Sequence, residues 1–253
     1  MKLEGRGTRD EGRKILAAVV TTALIFISVS VNGGGAKGQE IAAIAQTTAK
    51  EAVTVSAKST PTKAIQELDG MLDDFNIGTK LTAEQEEENR ALKKKIIHGT
   101  FDLRELSRLA LAKHWNEITP EEQDKFVKLL NDLLEEKALF SKEQIAAKSK
   151  SAKKYRVVYR GDKFMDPKQT VAFTRTKVII PSENIDIALN YKLKRQDGEW
   201  KIFDVIVDEA SLVDNYKYQF DSIIKKHGYQ DLVRRMTEKL DEIQKKRRDS
   251  GQG

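Results

Sequence analysis

IDIALNYKLKRQDGEWKIFDVIV, residues 185–207, decides the fold class. Ile185, Ile187, Leu189, Tyr191 and Leu193 recur every second position, which puts them on one face of a half-buried strand. Asp197-Gly198 is a two-residue hairpin turn signal, and EWKIFDVIV (199–207) is the strand that returns. The same period runs upstream. Tyr155, Val157 and Tyr159 alternate with Arg156, Val158 and Arg160, and TVAFTRTKVII (170–180) ends at Pro181-Ser182-Glu183-Asn184. Segments that follow one another at hairpin spacing predict an antiparallel sheet of about four strands.

On both sides of these strands the period changes to that of a helix. Ile65, Leu68, Leu72 and Phe75 mark a helix over 62–75. Thr82 with Gln85 reads as a capping box for a helix reaching Ile97. Asp102 and Glu105 open a third helix through Leu106, Leu109, Ala110 and Trp115. Thr119-Pro120-Glu121-Glu122 is the sharpest local signal: a cap, a proline at the first helical position, and a glutamate reaching back from the third. Its helix carries Phe126, Leu129, Leu130, Leu133 and Leu134 on one side. Ser141 with Gln144 suggests one more short helix. After the strands, 211–226 places Leu212, Tyr216, Phe220, Ile223 and Ile224 on one stripe. Gly228 stands where a helix stops, and 230–245 supplies a last stripe. Helices, then consecutive strands, then helices predict an α+β fold.

Residues 15–31 (ILAAVVTTALIFISVSV) follow Arg13-Lys14 and precede Gly33-Gly34-Gly35-Ala36. A charged start, an apolar middle and small residues at the end are the layout of a secretory signal peptide. The run falls short of the ~20 apolar residues a spanning helix needs. Cleavage after Ala36, with Gly34 at −3, suits it; sites near Ser30 or Gly33 are alternatives, and an uncleaved anchor is the competing reading. The expected layout is therefore signal peptide 1–36, flexible leader 37–61, folded domain 62–246 and disordered tail 247–253. The chain has no cysteine, so neither a disulfide, a lipidated cysteine nor a thiol nucleophile is available. The 45 basic and 39 acidic residues give only a small excess, which does not point to nucleic acid.

Chemistry is sparse. His98, His114 and His227 lie far apart and match no metal-ligand spacing, and there is no nucleophile elbow or phosphate-binding loop. No catalytic residue, metal or cofactor is expected. Asp204 sits inside a strand pattern, and Arg175 and Lys177 share the parity of Val171 and Phe173. These three are expected on a solvated face or at a cavity mouth, where a cation could meet a phosphate-bearing ligand.

Residues 101–134 (FDLRELSRLALAKHWNEITPEEQDKFVKLLNDLL), 194–207 (KRQDGEWKIFDVIV) and 211–228 (SLVDNYKYQFDSIIKKHG) resemble the MlaC, or toluene-tolerance auxiliary, family. The likeness spans roughly 62–243 with order and spacing kept. One departure is Glu209-Ala210, where the family often has a glycine before the serine. The resemblance implies an NTF2-like curved sheet wrapped by N- and C-terminal helices, with lipid tails between sheet and helices. It implies a periplasmic phospholipid carrier for an MCE-type ABC transport system. The implied partners are the inner-membrane MCE-type ABC transporter complex and an outer-membrane lipoprotein complex, with no nucleic acid.

Strand parity and helix stripes then nominate lipid-lining residues: Leu106, Leu109, Leu130, Val157, Val171, Phe173, Val178, Leu189, Tyr191, Val205, Leu212, Tyr216 and Phe220. For any one of these, ordinary core packing is the plainer reading. Two other functions fit the same outline. A small-molecule enzyme on a cupped sheet would need a titratable residue deep in the cup, with Asp204 or a tyrosine as the nearest candidates. A membrane-anchored interaction protein would keep the N-terminal apolar run.

Overall fold

The structure is a computed structural model that describes residues 60–76, 81–137, 156–181 and 184–250. The apolar run 15–31, the leader up to 59, the helix expected at Ser141, the start of the first strand at Tyr155 and residues 251–253 lie outside the described residues.

Among the described residues, four α-helices precede the strands and two follow them, in the expected order. Helix α1 (Pro61–Asp73) starts at Thr60, whose side chain accepts from Lys63 N, with Pro61 at the first helical position. Helix α2 (Ala83–Thr100) begins with the full capping box: Gln85 N donates to Thr82 Oγ1 at 3.2 Å, and Thr82 N donates to Gln85 Oε1 at 3.0 Å. Helix α3 (Leu103–Leu111) is capped by Asp102, which accepts from Glu105 N at 2.9 Å. Asp102 N also donates to Ile202 O at 2.8 Å and so ties the helix start to the sheet.

The third helix was expected to run to Trp115. It stops at Leu111, and a tighter 3₁₀ turn carries Ala112–Glu117. Ala112 has φ +50°, a left-handed conformation that breaks the α ladder. The break turns Trp115 and His114 inward; His114 lies within 2.6 Å of Glu117 Oε2 and 3.0 Å of Asp221 Oδ1. Helix α4 (Pro120–Lys137) opens with the reciprocal Thr119–Glu122 bonds.

Strands β1 (Arg156–Phe164), β2 (Val171–Ile180), β3 (Ile185–Gln196), β4 (Glu199–Val207) and the two-residue β5 (Ala210–Ser211) form one antiparallel sheet in sequence order. The fifth strand exceeds the expected four. It arises because Asp208 and Glu209, with φ +45° and +77°, make a two-residue turn that pairs Val207 with Ala210. The register shifts between Tyr159 and Asp162 and between Lys192 and Leu193, and such bulges curve a sheet.

Helix α5 (Leu212–His227) follows at once and ends at Gly228, φ +85°; α6 (Tyr229–Ser250) closes the chain. The tail expected from 247 is helical as far as Ser250, and Arg247 Nη1 holds Glu136 Oε1 on α4 at 2.6 Å. Among the described residues no helix is long and apolar enough to cross a membrane.

Burial divides into two apolar clusters. One lies among α3, the 3₁₀ turn, α4, α5 and α6. The other lies between the sheet and α1, with a contribution from α2. Phe101, at the α2–α3 junction, packs against both. The molecule is thus an α+β fold whose sheet is wrapped by helices, with two interiors rather than one.

Candidate functional site

Strand register builds a continuous apolar surface on the face of the sheet turned toward α1. Across β1 to β4 the rows read Phe164–Ala172–Leu193–Ile202, then Asp162–Thr174–Tyr191–Val205, then Tyr159–Thr176–Leu189–Val207. Val157, Val178 and Ile187 extend it. Helix α1 covers this inner face with Ile65 and Leu68, Phe75 just beyond its end continues the cover, and Ile96 of α2 joins from the side. At about 25 cal/mol per Å² of apolar area, this contact is what keeps α1 on the sheet.

Hydrogen bonds add a second kind of attachment. Asp162, placed inward by the β1 bulge, accepts from Thr62 N at 3.2 Å, Thr62 Oγ1 at 2.8 Å and Thr174 Oγ1 at 2.6 Å. Tyr159 OH donates to Asp69 Oδ2 at 2.5 Å, one helical span further along α1. At the far end Asn76 N donates to Asn89 Oδ1 at 2.9 Å, and Asn89 Nδ2 donates back to Asn76 O at 3.0 Å. The helix is therefore pinned at three places by directional polar contacts, while its apolar stripe lies against a smooth aliphatic face. Such pins cost about 0.5–1.5 kcal/mol to break at the Asn76–Asn89 amides and about 1.5–3 kcal/mol per bond where the Asp162 and Asp69 carboxylates accept. An interlocked core gives way at far greater expense.

The thirteen nominated residues do not share one space. Val157, Val178, Leu189, Tyr191 and Val205 belong to the sheet–α1 cluster. Leu106, Leu109, Leu130, Leu212, Tyr216 and Phe220 belong to the helical cluster. Val171 and Phe173 lie on the opposite face of β2 from Val178, half-buried. The inner positions of β2 are Ala172, Thr174, Thr176 and Val178, all buried. Two threonines and an alanine gave the inner face a polar look in sequence. Each threonine is satisfied: Thr174 by Asp162, and Thr176 by donating to Leu189 O. Sequence reasoning also passed over Ile187, Leu193, Ile202 and the Thr62–Asp162 and Asp69–Tyr159 contacts. Ile187 and Leu193 carried the alternation signal; the polar contacts carried none.

Asp204 is neither solvated nor at a cavity mouth. It is 1% exposed, on the outer face beneath the start of α5. One oxygen accepts from Val213 N at 3.1 Å, and the other from Ser211 Oγ at 2.8 Å and Lys192 Nζ at 2.9 Å. These bonds anchor α5, whose next amide, Asp214 N, donates to Ser211 Oγ at 3.0 Å. Arg175 is exposed on that outer face, and Lys177 pairs with Asp186.

A separate cleft of about 380 Å³ opens between α2, α3 and α4, lined by His98, Phe101, Leu103, Asp124, Val127, Lys128 and Asn131. Phe101, Leu103 and Val127 make its walls apolar, and the charged residues at its rim are paired: His98 with Glu135, Asp124 with Arg104, and Lys128 with Asp132. Among the described residues no three histidines or carboxylates come together as a metal site.

No curated protein matches the chain. A solved structure described as a phospholipid-binding protein from Ralstonia solanacearum in complex with a phospholipid superposes with a TM-score of 0.54 at 20% identity, over 72% of this chain and 95% of that one. At that identity the likeness speaks for the fold. Residues 66–238 match the family described as MlaC protein, a span that runs from within α1 to within α6 and includes the whole sheet, and the chain accordingly belongs to the MlaC family.

Proposed function

We propose that this protein binds a phospholipid, with acyl tails taken up between the inner face of the sheet and α1, and does no chemistry on it. The observation that carries the reading is the attachment of α1: a single helix laid on an aliphatic sheet face and pinned by Thr62–Asp162, Asp69–Tyr159 and Asn76–Asn89. Such a helix can lift without dismantling the helical cluster on the other side.

Magnitudes favour the exchange. Burying a tail of about 16 carbons is worth roughly 12 kcal/mol at ~0.8 kcal/mol per CH₂. Freeing Ile65, Leu68 and Phe75 forfeits about 1.5–3 kcal/mol each. Measured from water, a tail therefore more than offsets the side chains it displaces; a tail drawn from a bilayer starts already out of water, so its transfer to this site lies near balance, as reversible carriage requires. The relative from Ralstonia, described with a bound phospholipid, supports the same use of the fold. A catalytic reading loses its main residue, since both oxygens of Asp204 are engaged in holding α5.

On this reading residues 1–36 are a cleaved signal, and the protein works in the periplasm. It shuttles lipid between an outer-membrane lipoprotein complex and an inner-membrane MCE-type ABC transporter. The decisive experiment is organic extraction of the purified exported protein followed by mass spectrometry. The expected result is co-purified phospholipid. A protein that is empty in every preparation and takes no lipid from vesicles defeats the proposal. N-terminal sequencing of the same material separates a cleaved carrier from a tethered protein.

A further inference from the structure

The turn joining β1 to β2 presents the largest exposed apolar side chains of the sheet. Phe164 is 41% exposed and Met165 57% exposed. The loop that carries them is rigid: the Asp166 carboxylate accepts from Thr170 N at 2.8 Å, Val171 N at 2.7 Å and Thr170 Oγ1 at 2.9 Å. Phe164 rests on Trp200, ring centroids 6.1 Å apart, and Trp200 belongs to the sheet–α1 cluster. The exposed tip is thus the outer end of the inner apolar face.

Within the β1–β2 hairpin the charge is one-sided, while the neighbouring β3–β4 turn, joined to the loop by Arg195 N donating to Thr170 O at 2.7 Å, brings exposed Asp197 and Glu199, the latter paired with Lys201. Residues 156–180 hold six basic and two acidic residues. Both acids turn inward, Asp162 to Thr62 and Thr174, Asp166 to its own loop. Lys163, Lys168, Arg160 and Arg175 are exposed and make no ion pair among the described residues.

We propose that the β1–β2 hairpin docks tip-first on an anionic phospholipid bilayer, with Phe164 and Met165 in the headgroup region and Lys163, Lys168, Arg160 and Arg175 on the phosphates. Two exposed apolar side chains are too few for the core of a stable protein interface, which takes about 800 Å² from each partner. They match an interfacial insertion, where a small apolar wedge and several cations act together. The proposal goes beyond lipid carriage and does not depend on it.

The chain has no cysteine, so Met165→Cys carries a single environment-sensitive fluorophore. With the exported protein, a blue shift is expected on vesicles of mixed phosphatidylcholine and phosphatidylglycerol, and none on phosphatidylcholine alone. The same label at Tyr218→Cys, 75% exposed on α5, should not respond. Vesicle affinity should fall about fivefold for each cation removed, so about 25-fold in K163Q/K168Q, and should weaken with salt. No response at 165 on protein-free anionic vesicles overturns the proposal, as does an equal response on zwitterionic ones. So does a response to native membranes that protease trimming abolishes and lipid vesicles do not reproduce. K163Q/K168Q should retain its co-purified lipid, and a protein that purifies empty yet still shifts at 165 would fail as a carrier while keeping this surface.

Discussion

The helical half and the sheet–α1 half bury comparable kinds of side chain in different ways. In the helical half, Phe220 meets Phe126 edge-on at 5.7 Å and stacks on Tyr216 at 5.2 Å, with Leu130, Leu133 and Met236 filling the space around them. Four helices and the 3₁₀ turn converge there, and none can leave without opening the rest. In the sheet–α1 half, aliphatic and aromatic side chains of four strands face α1, with Ile96 of α2 at the side, and polar contacts hold α1 in place. The first arrangement is a core in the ordinary sense, close-packed and intolerant of loss. The second is a covered surface. A carrier needs both: a part that stays folded, and a part whose lid yields to its cargo.

The largest expected effect tests the first half. Phe220→Ala removes the ring that links Phe126 and Tyr216 and should cost about 3–5 kcal/mol of stability in urea unfolding. Lipid bound per folded molecule should not change; a loss of lipid out of proportion to unfolding would erase the distinction between the halves. Next comes Asp162→Ala, which strips the acceptor from Thr62 and Thr174. It should cost about 1–3 kcal/mol, and hydrogen exchange should rise over 61–73 while α4 and α5 stay protected. Uniform loss of protection across both halves would show that α1 is not separable. The smallest effect sharpens the frame that joins them. Glu209, φ +77°, holds a left-handed position in the turn between β4 and β5, so Glu209→Gly should stabilise the protein by up to about 1 kcal/mol. A melting temperature that falls instead would mean the Glu209 side chain has a compensating contact.

Signals that act within a few residues were legible. Thr82, Asp102 and Thr119 cap the helices that follow them as read, and Gly228 ends α5; Thr60 and Ser211 cap α1 and α5 as well, though neither was singled out in the sequence. The alternation from Ile187 to Leu193 reported the inner face of β3 correctly. The parity of β2 misled, because Val171 and Phe173 were expected to line the site together with Val178, whereas Val178 shares the buried inner face with Thr174 and Thr176 and the other two lie on the opposite one. Threonine carries a methyl group as well as a hydroxyl, and only a partner for the hydroxyl tells which one governs. Asp204 misled for the same reason: its partners, Ser211, Val213 and Lys192, come from three other elements, β5, α5 and β3. Ala112 gave no warning of its left-handed turn, since alanine favours the α-helix it interrupts.

Element types, helix caps, the hairpin turn at Asp197-Gly198 and the absence of thiol chemistry follow from neighbours along the chain, because periodicity and capping are short-range physics. The division into two interiors, the pinning of α1 by Asp162 and Tyr159 and the continuity of the exposed hairpin tip with the inner face do not. They join residues about a hundred positions apart or fewer by register and packing, and the partner of a polar group is settled only when the folded chain brings a complementary one within reach.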